Sequence, residues 1–164
     1  MSKVRYLTPE WLEASEKAFN SDPNFQESLK TFTNKLCYRV EADPDWGLER
    51  DILFGSFFES GRLTKLAFFT KAAALQDSDF ILSAPPQEWK KILRKQNKFV
   101  TDFMLGKIKL EHGSKSKILN VAPHADKIVK AITQVEMQFP DEMTAEELAE
   151  YRGYVERFRD VLGV

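Results

Sequence analysis

The sequence contains one cysteine, Cys37, and only two histidines, His112 and His124, among its 164 residues. A single cysteine excludes an intramolecular disulfide and any cysteine-rich metal site, and it is typical of a reducing cytoplasm. The two histidines belong to no motif with metal-ligand spacing, and two surface histidines are a simpler interpretation than a shared metal site. The sequence therefore predicts neither a metal nor a cofactor.

The sequence also lacks a large excess of positive or negative charge, and it lacks long apolar runs. The 24 basic and 25 acidic residues give a formal net charge of −1, so no overall charge attracts the chain to nucleic acid. No apolar run approaches the length of about 20 residues that spans a bilayer. The N-terminal stretch MSKVRYLTPEW lacks the apolar core of a signal peptide. We therefore expect a cytoplasmic protein that does not bind nucleic acid.

Motifs of nucleotide binding and nucleophilic catalysis are absent as well. The sequence has no P-loop, no G-x-G-x-x-G and no G-x-S-x-G elbow. Cys37 alternates with Leu36 and Tyr38 in a predicted strand, which favours a structural thiol on the opposite face. We therefore predict that the protein is not an enzyme. The enzyme hypothesis that remains would use Cys37 or His112 on a lipid or acyl substrate.

Phenylalanine, in contrast, is plentiful: the chain has 13 Phe against four Tyr and three Trp. Phe supplies apolar area without a polar group, so this composition indicates either a large core or a lined cavity. The length and the 43% hydrophobic content fit one globular domain over residues 1–164.

Helix and strand signals alternate along the chain. Thr8-Pro9 predicts a helix start, and a second start follows at Asp22-Pro23. Strand-like runs are KLCYRVEA, RDILFGSFFE, RLTKLAFF, DFILSA and KIKLEH, with a hairpin turn at Ser60-Gly61. A helical stretch over 86–105 is interrupted near Asn97, and another helix covers 125–135.

This order predicts an α+β fold with about five strands in a mostly antiparallel sheet, covered by helices on one face. Added helices lie at both ends. Thr144 begins the C-terminal one with a capping box, within an extension over residues 141–164. Its apolar stripe of Tyr151, Val155 and Phe158 has three alternative roles: to plug a cavity mouth, to cover the sheet or to form a homo-oligomer.

The basic run WKKILRKQNK has two interpretations. Its lysines and Arg94 form the outer face of a helix whose inner face carries Trp89 and Ile92. A solvated face is the simpler interpretation. The alternative is transient contact with anionic lipid head groups at a membrane surface.

The stretch FVTDFMLGKIKLEHGS, with the preceding strand DFILSAPPQEW, resembles the sterol carrier protein (type two) family of lipid-binding domains. The matching signature runs from Phe103 through Gly106 to Lys109, and the hairpin FFESGRLTKL is similar to a turn of that family. The resemblance covers about residues 30–137. The helical additions at both ends and the acidic loop EADPDWGLERD depart from it.

The resemblance implies an apolar tunnel between sheet and helices that carries a fatty acyl chain, a sterol or a similar lipid. Phe103 and Met104 would then point inward at its mouth, after which Gly106 turns the chain into the last strand. The expected lining residues are Phe57, Phe68, Phe80, Leu82, Trp89, Leu93, Phe99, Phe103, Met104, Ile108, Ile128, Ile132 and Val135. The alternative is an interaction module of the same fold whose cavity is filled.

Overall fold

A computed structural model describes residues 3–164 of the chain. The main strands are β2 (Asn34–Val40), β3 (Ile52–Glu59), β4 (Arg62–Phe69), β5 (Phe80–Ala84) and β6 (Lys109–His112), and the short strands β1 (Val4–Arg5) and β7 (Met137–Gln138) pair separately. The helices are α1 (Pro9–Asn20), α2 (Pro23–Ser28), α3 (Lys71–Asp77), α4 (Pro86–Leu93), α5 (Phe99–Met104), α6 (Lys115–Ile118), α7 (Ala125–Ile132) and α8 (Ala145–Leu162). Short 3-10 helices cover Pro44–Trp46, Ala122–His124 and Pro140–Glu142.

The five main strands form one mixed sheet in the spatial order β4-β3-β2-β5-β6. Strand β2 pairs parallel with β5, while the other three pairings are antiparallel. The predicted hairpin turn joins β3 to β4, with left-handed backbone at both Ser60 (φ 49°) and Gly61 (φ 81°). A Cβ atom at Gly61 would lie 2.5 Å from the Gln26 carbonyl oxygen, so glycine is needed there. The predicted α+β class and mostly antiparallel sheet are confirmed.

Alternation along the strands assigns the apolar side chains to two faces. Leu36, Tyr38 and Val40 of β2 lie in the main core, and Cys37 lies in a smaller cluster on the opposite face. Helices α1, α2, α4, α7 and α8 all contribute buried side chains to the main core. This face of the sheet is therefore the one on which a ligand cavity can form.

The opposite face carries helix α3, which the sequence pattern did not predict. Its Ala74 is fully buried in the cluster with Cys37, Phe57 and Phe69, while its Leu75 is exposed. The segment KAAALQD offers no apolar stripe because a small residue makes the contact. Its start is fixed by Thr70, whose hydroxyl oxygen accepts a hydrogen bond from the Ala73 amide (3.1 Å). Helices therefore cover one face extensively and the other by a single short segment.

The C-terminal helix α8 covers the main face of the sheet beside β4. Phe158 stacks on Phe68 with ring centroids 5.2 Å apart, and the Tyr151 hydroxyl donates to the Tyr6 carbonyl oxygen (2.6 Å). Buried Arg159 donates to the carbonyl oxygens of Arg50 (3.0 Å) and Asp51 (2.6 Å). Of the three roles that the sequence left open, covering the sheet is the one that these contacts fulfil.

Candidate ligand-binding site

An apolar cavity lies in the main core, between β2, β3 and β5 on one side and α4, α5 and α7 on the other. Its volume is about 50 Å³. A cavity of this volume holds about three to five water molecules. The residues that line it are Tyr6, Leu36, Tyr38, Phe54, Leu82, Trp89, Ile92, Leu93, Phe99, Val121, Ala125, Ile128, Val129 and Ile132. The cavity therefore touches both layers of the fold.

The polar ends of two aromatic lining residues are bonded to other groups. The Tyr38 hydroxyl lies 2.8 Å from the Ser56 hydroxyl, and the Trp89 indole N–H donates to the Arg39 carbonyl oxygen (3.1 Å). Trp89 also packs edge-to-face on Tyr38, with ring centroids 5.7 Å apart. Because these groups are satisfied elsewhere, the two rings offer the cavity hydrocarbon surface.

One wall of the cavity comes from the N-terminal segment. Tyr6 is fully buried, and its ring packs against Trp11 at 5.2 Å and Phe139 at 4.8 Å. The pairing of β1 with β7 and the hydrogen bond from Tyr151 hold this segment in place. Burial raises the pKa of Tyr6 well above its usual value, so this phenol stays neutral.

The cavity adjoins a groove between the α4–α5 connection and α7. Ile92, Phe99 and Val129 line both the cavity and the groove. The remaining groove residues are polar or charged: Lys95, Asn97, Lys98, Asp126 and Lys130. The apolar space thus adjoins a groove with a charged opening at the surface.

A pair of buried carboxyl groups joins α4 to α5 beside this opening. Glu88 and Asp102 lie against each other, and Asn97 Nδ2 donates to Asp102 Oδ2 (2.9 Å). Burial, followed by the hydrogen bond to Asp102 and its charge, raises the pKa of Glu88 to about 7, although Lys91 and Lys107 oppose the shift. The hydrogen bond from Glu88 lowers the pKa of Asp102. Glu88 therefore holds the proton through which the two groups bond.

We expect Glu88→Gln to remove a pH dependence of stability. Because the folded-state pKa of Glu88 exceeds its unfolded value, the free energy of unfolding should fall as pH rises from about 4.5 to 7, on the order of 2 kcal/mol. Glutamine keeps a donor toward Asp102 and cannot ionise. Urea unfolding of both proteins at pH 5 and pH 8 measures the difference. The pKa of Asp102 is lowered from its ordinary value of 3.8, so Asp102 changes the free energy of unfolding only below about pH 4, outside this range. Equal pH dependence in the two proteins would contradict the assignment.

Six predicted lining residues do line the cavity: Leu82, Trp89, Leu93, Phe99, Ile128 and Ile132. Four others belong to the same core without reaching it: Phe68, Phe80, Ile108 and Val135. Phe103 packs against the core and stacks on Phe99, with ring centroids 5.8 Å apart.

Two predicted positions are corrected by the structure. Phe57 lies on the opposite face of the sheet, because it is one residue out of phase with Ser56 and Phe58. Met104 does not point inward: its side chain is 69% exposed, and that of the adjacent Leu105 is 65% exposed. Helix α5 is only six residues long, and buried Asp102 and half-buried Phe103 occupy its inner side.

Several lining residues were not predicted. Val121 and Ala125 continue the helical stripe of Ile128 and Ile132 toward the N-terminus, at spacings of three or four residues, so that stripe was the available signal. Strand alternation likewise pointed Leu36 and Tyr38 toward the main core. Tyr6 carried no such signal, because its place is set by contacts with residues more than 130 positions away.

The residues weighed for catalysis or metal binding do not assemble into a reactive site. Cys37 is fully buried, and burial raises the pKa of its thiol to about 11. His112 ends β6, whereas His124 packs on Phe32 with ring centroids 4.9 Å apart. Within residues 3–164, no group of three or more His, Cys, Asp or Glu side chains is arranged to hold a metal ion. Nor does any helix in this part combine the length and apolar character that crossing a bilayer requires.

Similarity to known proteins is found in structure alone. No family model and no curated protein matches the sequence. A crystal structure of sterol carrier protein 2 aligns with a TM-score of 0.69 at 20% identity, covering 80% of this chain and 99% of the other. A conserved hypothetical protein of Thermus thermophilus aligns with a TM-score of 0.72 at 20% identity, covering 84% and 94%. Sterol carrier protein 2 of Yarrowia lipolytica gives 0.52 at 12% identity, covering 75% and 89%.

The resemblance inferred from FVTDFMLGKIKLEHGS is thus confirmed at the level of the fold. The alignments span nearly the full length of two of these relatives, so the match is not confined to one motif. The mixed five-stranded sheet with its helical cover is the sterol carrier protein 2 fold.

Proposed function

We propose that the protein binds and carries a hydrophobic lipid-like ligand without catalysing a reaction on it. The observation that carries this proposal is the apolar-walled cavity between the sheet and α4, α5 and α7, which shares three lining residues with a surface groove. Sterol carrier protein 2 relatives share the fold and so support the same interpretation. Cytoplasmic location is part of the proposal, and its support is the single, unpaired Cys37.

A long acyl chain needs more space than about 50 Å³, so binding requires the helical cover to move from the sheet. Helix α5 is the element best suited to move, because it is six residues long and lacks a side-chain hydrogen bond at its N-cap. Each buried methylene is worth roughly 0.8 kcal/mol, so a long chain gains on the order of 10 kcal/mol. Ordering and opening costs offset much of that gain, which leaves affinity in the micromolar range.

A titration with a fluorescent fatty acid tests this function directly. Trp89 lines the cavity and Trp11 packs on its lining residues Tyr6 and Phe54, so energy transfer from these indoles to the probe should report occupancy. We expect saturable binding with a Kd of roughly micromolar size. Trp89→Phe is the matched control: it should retain probe binding and reduce the transfer signal, with Trp11 as the remaining nearby donor. Absence of saturable binding by wild-type protein, measured also with a fluorescent sterol, would overturn the proposal.

The alternative function is an interaction module whose cavity is filled, and the small cavity volume is the observation that favours it. The apolar stripe of α8, for which a dimer surface was one of three alternative roles, packs inside the chain through Tyr151, Val155 and Phe158. Such a module would therefore need another surface. The same titration separates the two functions, because a filled cavity admits neither probe.

We further infer a transient contact of α5 with an anionic membrane surface. Val100, Met104 and Leu105 are exposed together along and just after this helix. Lys98 precedes it, Lys107 follows it, and both are exposed. Basic residues near an anionic bilayer contribute about 1 kcal/mol each, and the apolar side chains can enter the interface. Contact there would bring the lipid surface beside the groove that adjoins the cavity.

A further inference from the structure

We propose that the groove beside the cavity binds the anionic head group, a carboxylate or a phosphate, of a single-chain lipid whose tail enters the cavity. This inference rests on the proposed carrier function and specifies its ligand class. Its basis is the juxtaposition of Lys95, Lys98 and Lys130 with the apolar residues that line both spaces.

The three groove lysines are free of internal partners. Lys95, Lys98 and Lys130 are exposed, and none forms an ion pair with another residue in 3–164. Asp126 is the only acidic residue among those that line the groove, so three positive charges face one negative charge. An anion in the groove would therefore find uncommitted cationic donors.

Other basic residues of the same sequence run have different roles. Lys90 Nζ lies 2.8 Å from Asp141 Oδ1, and Arg94 Nη2 lies 2.9 Å from Glu142 Oε1. These ion pairs fasten α4 to the segment that precedes α8. Within the basic run, Lys90 and Arg94 are thus neutralised by acidic partners, whereas Lys95 and Lys98 at the groove are not.

The lysines come from two sides of the groove. Lys95 and Lys98 belong to the α4–α5 connection, while Lys130 belongs to α7. Lys95 has left-handed backbone (φ 60°) just after α4, a position that glycine or asparagine commonly occupies. An anion between the two sides would be approached by cations from both.

The apolar groove residues connect this charged region to the cavity. Ile92, Phe99 and Val129 line both spaces, so once the helical cover opens for the ligand, one molecule can place its tail against the cavity walls and its head among the lysines. A sterol has a neutral hydroxyl group and gains little from three cations. The arrangement therefore favours anionic single-chain lipids over neutral ones of equal length.

The test compares three probes with identical fluorescent alkyl chains: a fatty acid, an alkyl phosphate and the neutral fatty alcohol. We expect wild-type protein to bind one or both anionic probes about tenfold more tightly than the alcohol at low salt, with the preference reduced at about 0.5 M salt. The triple variant Lys95→Gln, Lys98→Gln, Lys130→Gln should lose this preference and bind the alcohol unchanged. The tighter anionic probe identifies the head group.

A charge-matched control is the triple variant Lys71→Gln, Lys109→Gln, Lys115→Gln, whose lysines are exposed and lie outside the groove. It should keep the wild-type preference. Equal wild-type affinity for acid, phosphate and alcohol would overturn the head-group site but leave the carrier function standing. Equal loss of preference in both triple variants would also overturn the site. Failure of wild-type protein to bind any of the three probes, and also the fluorescent sterol, would overturn the carrier function itself.

Discussion

Ala125→Leu is expected to weaken binding of a fluorescent fatty acid at least tenfold. Ala125 is the smallest residue that lines the cavity, and leucine adds three carbon atoms on that wall. Those atoms occupy space that the first ligand methylenes would otherwise fill, at roughly 0.8 kcal/mol for each displaced methylene. The added atoms enter an existing apolar cavity, so the free energy of unfolding should change by less than about 1 kcal/mol. Probe titration and urea unfolding measure the two effects.

The matched control is Ala131→Leu on the same helix, α7. Ala131 is fully buried but does not line the cavity, so leucine there overpacks the core. We expect it to destabilise the fold by about 1–3 kcal/mol while the folded protein still binds the probe. Undiminished probe binding by Ala125→Leu would show that the ligand lies elsewhere.

The double variant Met104→Glu, Leu105→Glu is expected to lose at least tenfold in affinity for anionic vesicles. Both side chains are more than 60% exposed, so the changes leave the core intact. Each removes an apolar group from the membrane interface and adds a charge that anionic lipid repels. Sedimentation with vesicles of mixed phosphatidylserine and phosphatidylcholine measures the loss. Binding of the fluorescent fatty acid in solution should stay unchanged.

A second exposed apolar pair supplies the control for this variant. Val161 and Leu162 lie at the end of α8, and neither lines the cavity or its groove. Val161→Glu, Leu162→Glu makes the same change in charge and should bind vesicles as wild-type protein does. An equal loss in both double variants would assign the effect to net charge and contradict a docking role for α5.

The exposed α5 residues change the interpretation of the apolar turn before Gly106. The sequence resemblance predicted Phe103 and Met104 as cavity lining, yet Met104 and Leu105 lie at the surface. Gly106 is in left-handed backbone (φ 78°), which allows the chain to leave α5 and enter β6. The apolar turn before Gly106 therefore has two roles, because one side of this short helix packs against the core and the other lies at the surface.

Local signals in the sequence predicted much of the secondary structure because they act over a few residues. Thr8 caps α1 through its hydroxyl oxygen, which accepts from the Trp11 amide (3.3 Å), and Thr144 with Glu147 forms the predicted capping box. The interruption near Asn97 separates α4 from α5 as expected. The two-residue period of β2 correctly placed Leu36, Tyr38 and Val40 on one face.

The sequence by itself determined the five main strands, the starts of α1, α2 and α8 and the inward face of β2, since these depend on caps, turns and periodicity between near neighbours. Only the tertiary structure decided which apolar residues surround a cavity and which fill the core. Tyr6 reaches the cavity through contacts with distant parts of the chain, and Phe80 shares the core without lining it. The cause is physical: burial is favourable wherever apolar surface leaves water, whereas a cavity depends on how side chains from several elements meet in space.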